Sequence, residues 1–251
     1  MRLSIVILCL LCGFGCGTPE NDIDKVILIS ANAEWKVVKE VFPGEVLQLS
    51  PWGEYFIKSL EVGNSTEEVI FFHGGWGKVA AAGSTQYCID HWHPRYLINL
   101  GTCGGFEGDI NKLDVVLVDK TIIYDIEEAM GDSQEAISDY STVLDLSWLG
   151  ELPKTVIKTV LVSADKDIIA SEIPKLKSRY HAVAGDWETG AIAYTCVRNN
   201  QRVLILRGVS DLIHPDKGGE AYQNISVFLL GTEKVMKKLL ADLPNWLERC
   251  K

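Results

Sequence analysis

Val203-Leu204-Ile205-Leu206 sets four aliphatic side chains in succession, with none of the polar alternation of a strand that has one wet face. Such a run reads as a strand buried on both faces, which points to a sheet covered by helices on both sides. It ends in Arg207-Gly208-Val209-Ser210-Asp211, so Asp211 is expected just past the strand's carboxyl end. A second stretch, Gly185-Asp186-Trp187-Glu188-Thr189-Gly190-Ala191-Ile192-Ala193, leads into a segment where Ala191, Ile192, Thr195 and Cys196 recur at helical spacing. Glu188 therefore sits where a strand gives way to a helix. Ligands of α/β sheets bind outside the carboxyl ends of the strands, so two acids delivered there by consecutive strands can face one substrate.

The rest of the chain extends the pattern. Lys25 to Ser30 reads as a first buried strand, and Ala31-Asn32-Ala33-Glu34-Trp35 opens a helix that Pro43-Gly44 stops. Tyr55–Leu60 and Val69–Phe72 form a hairpin or meander around Gly63-Asn64-Ser65. His73-Gly74-Gly75-Trp76-Gly77-Lys78-Val79 is a glycine-rich turn into a helix from Lys78 to His91. Tyr96–Leu100 is a strand running into Gly101-Thr102-Cys103-Gly104-Gly105-Phe106, where glycines would let backbone amides approach a ligand or simply make a tight turn. Strands at Asp114–Val118 and Thr159–Ser163 flank an acidic, weakly periodic stretch from Thr121 to Leu149, and an amphipathic helix spans Ala221 to Leu240. The fold class that follows is a single α/β domain with a mixed, twisted central sheet flanked by helices.

A length of 251 residues with 47% hydrophobic content suits one such domain. The formal charge of −10 argues against a nucleic-acid surface, which needs a basic patch, and favours a small-molecule ligand. Cys88, His91 and His93 lack a fourth ligand nearby, so no metal site is expected, and neither is a cofactor. At the amino terminus Arg2, an apolar run and the small residues before Cys16 resemble a bacterial lipoprotein leader. That divides the chain into a leader at 1–15, a lipidated Cys16 with a linker to 24, and a catalytic domain at 25–251. It implies an exported, membrane-anchored protein, or a cytoplasmic one if the leader reading fails.

Four motifs in order, Gly77-Lys78-Val79-Ala80-Ala81-Ala82, Asn99-Leu100-Gly101-Thr102-Cys103-Gly104-Gly105, Asp186-Trp187-Glu188 and Arg207-Gly208-Val209-Ser210-Asp211, resemble the nucleoside phosphorylase and nucleosidase superfamily. The resemblance runs from about Lys25 to Leu240 and is strongest to its hydrolytic branch, the methylthioadenosine/S-adenosylhomocysteine nucleosidases. It implies hydrolysis of a purine nucleoside at its N-glycosidic bond. Glu34 would orient or deprotonate the attacking water beside Thr102 and Arg207. Glu188 would hold the ribose hydroxyls, and Asp211, supported by Ser210, would protonate the base at N7. Cys103, Gly104, Asp167, Ile168, Asp186, Trp187 and Tyr222 complete the substrate-binding set that the likeness implies. The sequence departs from the family at Asp167, near where an aromatic ring stacks on the base, at Trp187, where a methionine is usual, and at Asp186, which replaces a longer acid. Relatives form homo-oligomers. A phosphorolytic enzyme and an exported nucleoside-binding or storage protein are the rival functions. For individual residues the structural alternatives are helix amino-terminal acids at Glu34 and Glu188 and an Arg207–Asp211 ion pair.

Overall fold

The structure, a computed structural model, describes residues 23–153 and 156–251. The expected leader and Cys16 lie outside the described residues.

The fully buried strand β1 (Lys25–Ile29) leads into helix α1 (Asn32–Val41), and an edge hairpin follows from β2 (Gln48–Ser50), β3 (Gly53–Val62) and β4 (Ser65–His73). Helix α2 (Gly77–Trp92) ends on His93 in the left-handed conformation and feeds β5 (Tyr96–Phe106). Then come β6 (Val115–Ile123), α3 (Ser133–Asp139), β7 (Ser141–Val143), β8 (Ile157–Ser163), α4 (Ile173–Tyr180) and β9 (Ala184–Asp186). The chain closes with α5 (Thr189–Arg198), β10 (Arg202–His214), the two-residue β11 (Gly218–Gly219) and the long α6 (Ile225–Leu247).

The sheet is mixed, and β5 is its hub. On one side β1 pairs β5 in parallel, β4 pairs β1 in parallel, and β3 and β2 continue antiparallel to the edge. On the other side β10 pairs β5 in parallel and β6 antiparallel, β6 and β9 both pair β8 in parallel, and β9 returns to β5 antiparallel. Five strands therefore form a closed ring, β5–β10–β6–β8–β9, fused to an open wing. Nothing in a strand's own sequence announces such closure.

The aliphatic run behaves as its composition requires. Leu204 and Leu206 pack with Met236, Leu239 and Trp246 of α6 and with Val38 of α1, while Val203 and Ile205 pack with Ala81 and Cys88 of α2 and Ile192 and Cys196 of α5. Each such fully buried aliphatic side chain is worth about 1.5–3 kcal/mol.

Among the boundaries that differ from the sequence reading, two matter for the site. The glycine segment after Leu100 is strand rather than turn, because a ladder from Tyr96↔Arg202 to Phe106↔Ile213, shifted in register once between Val209 and Asp211, supplies its backbone hydrogen bonds. For the same reason β10 runs on to His214, so Asp211 lies within the strand and not beyond its end.

Candidate active site

Glu34 stands in the first turn of α1, where its Oε2 accepts the Ala31 backbone N–H at 3.1 Å, a helix amino-terminal contact. Its other oxygen does something a cap does not require: Oε1 accepts both the backbone N–H and the hydroxyl of Thr102, at 2.6 and 2.8 Å. Thr102 belongs to β5, next to Gly101, where a Cβ would collide with the Arg207 guanidinium and stand 2.8 Å from Glu34 Oε1. A glycine is needed there so that acid and cation can lie over the strand.

Arg207 is fully buried and faces three carboxylates. Nη2 lies 2.9 Å from Asp186 Oδ2 and 3.9 Å from Glu188 Oε2, and Nη1 lies 3.7 Å from Glu34 Oε1. The approach to Asp186 is an ion pair without hydrogen-bond alignment, and Nε, Nη1 and Nη2 are all left without a protein acceptor. Buried donors of this kind are normally satisfied by water or ligand, which makes the Arg207 guanidinium, beside Glu34 and Glu188, a candidate contact for a polar ligand. One guanidinium cannot neutralise three carboxylates, and the excess falls on Glu188. Burial, reinforced by Asp186 and Glu34 and opposed by Arg207 and the Gly77 amide, pushes its carboxyl up to about 8.

Glu188 sits between β9 and the first turn of α5, and its Oε1 accepts the Gly77 N–H at 3.1 Å. That amide is free to do so because Gly77 opens α2 with φ of +84°. Asp186 Oδ1 accepts from Ser163 Oγ at 2.6 Å and from the Thr189 hydroxyl and amide at 2.8 and 3.2 Å, and the same amide reaches Oδ2 at 3.3 Å.

Asp211 forms a separate centre. Ser210 Oγ lies 2.6 Å from Asp211 Oδ1 and 3.3 Å from the Cys103 carbonyl. Burial raises the Asp211 pKa, with Glu220 and Asp167 adding to it and the Ser210 bond and Lys112 opposing. Arg207 and Asp211 do not pair, which corrects the structural alternative entertained above. Residues four apart in a regular strand share a face, but β10 has a register shift that matches Val209 to Cys103 and Asp211 to Gly104. The extra residue moves Asp211 off the face that carries Arg207.

Gly104 bridges β10 and β9, opposite Asp211 and Gly185, and the Cys103 thiol is buried against the Gly208 carbonyl at 3.7 Å with its pKa raised by burial. Ile168 is buried, and its carbonyl accepts the Tyr222 hydroxyl at 2.6 Å. Asp167 is exposed, and its charge acts on both Asp211 and Tyr222. Trp187 meets Trp76 at 5.0 Å between ring centroids. Sequence reasoning left out Trp76, Ser163 and Thr189. For Trp76 the available signal was a tryptophan one residue before Gly77; for the two hydroxyls there was none beyond their place at strand and helix ends.

The Phosphorylase superfamily model matches residues 53–243 of this chain. The chain belongs to the phosphorylase superfamily. It is 32% identical over 165 residues to the 5′-methylthioadenosine/S-adenosylhomocysteine nucleosidase of Staphylococcus saprophyticus, covering 61% of this chain and 72% of that one. It is 28% identical over 190 residues to the nucleosidase of the same name from Buchnera aphidicola, covering 71% and 81%. Among solved structures, the Streptococcus pneumoniae nucleosidase with the transition-state inhibitor MT-ImmA superposes with a TM-score of 0.69 at 20% identity, over 90% of this chain and all of that one. The superfamily member described here thus lies with the methylthioadenosine/S-adenosylhomocysteine nucleosidases, as its four motifs implied. The same kinship overturns the expected localisation: the relatives are nucleosidases that give no support to export or a lipid anchor, and the exported lipoprotein is withdrawn.

Proposed function

We propose that this chain is a nucleosidase that hydrolyses the N-glycosidic bond of a 5′-substituted adenine nucleoside of the methylthioadenosine or S-adenosylhomocysteine kind. Breaking this bond develops positive charge on the sugar and negative charge on the leaving base. In our reading, water enters the polar space beside Thr102 and Arg207, forms the new C1′–O bond as C1′–N9 breaks, and gives a proton to Glu34. Asp211, whose pKa burial raises, gives a proton to N7 of the departing base. Glu188 holds the ribose hydroxyls, and Trp187 with the exposed Trp76 offers an aromatic surface beside the sugar.

The observation that carries hydrolysis over phosphorolysis is the enclosure of Arg207 by Glu34, Asp186 and Glu188. A multiply charged phosphate would meet three acids around that one buried cation. The remaining candidate cations are also engaged. Lys78 lies 2.5 Å from Asp125 and 3.9 Å from Asp165, and Lys36 is exposed beside Glu40. Release of free adenine and free sugar in phosphate-free buffer is the expected result. Base release that requires phosphate and yields a sugar 1-phosphate would refute it.

We further propose a homo-oligomer. Exposed Val46, Leu47 and Leu49 around edge strand β2, and Val79 on α2, form the apolar surface that supports it. Sedimentation as a monomer at micromolar concentration would refute that part.

A further inference from the structure

Asp186 is the nearest carboxylate to Arg207, yet it accepts nothing from the guanidinium in hydrogen-bond alignment. Its orientation is instead set from the opposite side. Ser163 at the end of β8 and Thr189 at the start of α5 both donate hydroxyls to Oδ1, and the Thr189 amide adds a third bond. The hydroxyls are themselves locked, 2.9 Å from each other, with Ser163 Oγ accepting the Gly190 N–H at 2.9 Å. All four residues are buried or, for Gly190, enclosed by Ser163 and Ile123. The Thr189 amide also reaches Oδ2, at 3.3 Å, so both oxygens are tethered from this side, and Oδ2 faces Arg207 at 2.9 Å without hydrogen-bond alignment.

We infer that Ser163 and Thr189 are positioning residues for the reaction: by fixing Asp186 they hold the Arg207 guanidinium with its unpaired donors turned into the space between Glu34 and Glu188. A freely rotating Asp186 would swing both oxygens onto Arg207 in a bidentate pair, the geometry this ion pair prefers, and consume those donors. The hydroxyl pair prevents that collapse. The inference rests on the hydrolytic reading, in which those donors serve the attacking water.

Ser163→Ala, Thr189→Val and Thr189→Ser test it, alongside the wild type. Outer partners one bond removed from a reacting group typically carry about ten- to a hundredfold in activity, as metal-site series show. Ser163→Ala and Thr189→Val are therefore expected to lose about that much kcat, with KM within about twofold, while Thr189→Ser, which keeps the hydroxyl, recovers most of it. The second readout needs no turnover. Glu188 is faced by Asp186 from β9, Arg207 from β10, Glu34 from α1 and the Gly77 amide from α2. When Arg207 is drawn onto Asp186 it opposes the Glu188 proton less, and the pH range over which the ligand-free protein loses stability moves upward in the Ala and Val variants but not in the Ser variant. Loss of kcat that merely tracks a lowered melting temperature, with that pH range unmoved, would overturn the inference, as would wild-type kcat in Ser163→Ala. A wild type that releases no base from any nucleoside would sink the hydrolytic reading instead, and the pH readout would still decide whether the hydroxyls position Arg207.

Discussion

Glu188 and Asp211 are both buried carboxyls with raised pKa values, and burial is the first cause at each, yet their surroundings have opposite characters. Glu188 sits in a crowd of charge, with Arg207, Asp186 and Glu34 all facing the same space. Asp211 has one close polar partner, the neutral Ser210 hydroxyl, and its charged neighbours, Glu220, Lys112 and Asp167, act from the rim. Arg207, 3.9 Å from Glu188, opposes its proton without cancelling burial and the neighbouring acids, so this carboxyl takes its character from the charges around it. No cation touches Asp211, so its burial is opposed only by the Ser210 hydroxyl and the more distant Lys112. The bulge in β10 makes this division, because it separates Arg207 from an acid only four residues away.

The largest expected effect comes from removing the Asp211 proton. Asp211→Asn should lower kcat/KM by ~10²–10⁴-fold with the melting temperature nearly unchanged, since general acid assistance is worth about that much. A variant within a few-fold of wild type would erase the distinction between the two carboxyls. Next is the pH response of stability. The folded-state pKa of Glu188, about 8, lies above the unfolded value of 4.5, so the folded state holds the extra proton between them. Stability from this group is present below about pH 4.5 and is lost as pH rises toward 8, by at most ~1.4 kcal/mol per pH unit. Thermal melts of the ligand-free protein should show that decline between pH 6 and 8, and Glu188→Gln should flatten it; an identical slope in the variant would contradict the assignment. The smallest effect belongs to Ser210→Ala. Losing a donor that favours the ionised form raises the Asp211 pKa further, so the alkaline limb of the kcat/KM profile should move upward. Movement in the opposite direction would show that Ser210 does not act through the carboxylate.

The sequence carried the fold class in its aliphatic runs, because a run such as Val203–Leu206 has few other places to go than the middle of a covered sheet. Glu188 was legible for a related reason, the change from apolar run to helical spacing at that point. The ring of β5, β10, β6, β8 and β9 was not legible, since closure depends on which strands meet, and β9 is only three residues long. The glycines after Leu100 misled in a definite way. They looked like a turn, but the ladder to β10 keeps them extended, and Gly101 is small because Arg207 and Glu34 lie above it. Pairing Arg207 with Asp211 assumed a regular strand, and a single extra residue defeats that assumption. Thr102, Ser210 and Asp186 came from resemblance, whereas Ser163 and Thr189 are ordinary hydroxyls whose meaning exists only once Asp186 lies between them.

A closed ring of strands also decides how a product can leave. Widening an open sheet needs only edge bonds to part, but a hoop yields only if one of its ladders is broken, and even the shortest here, two pairs between β5 and β9, lies among buried residues. Movement is easier in the loops that follow the strands, where the Tyr222 hydroxyl ties the segment after β10 to the Ile168 carbonyl after β8. One bond of this sort is worth about 0.5–1.5 kcal/mol, so it can open and re-form many times while the strands beneath stay shut. The residence time of the liberated base is then a property of a tyrosine and two loops, set almost independently of the rigid frame on which the bond is cut.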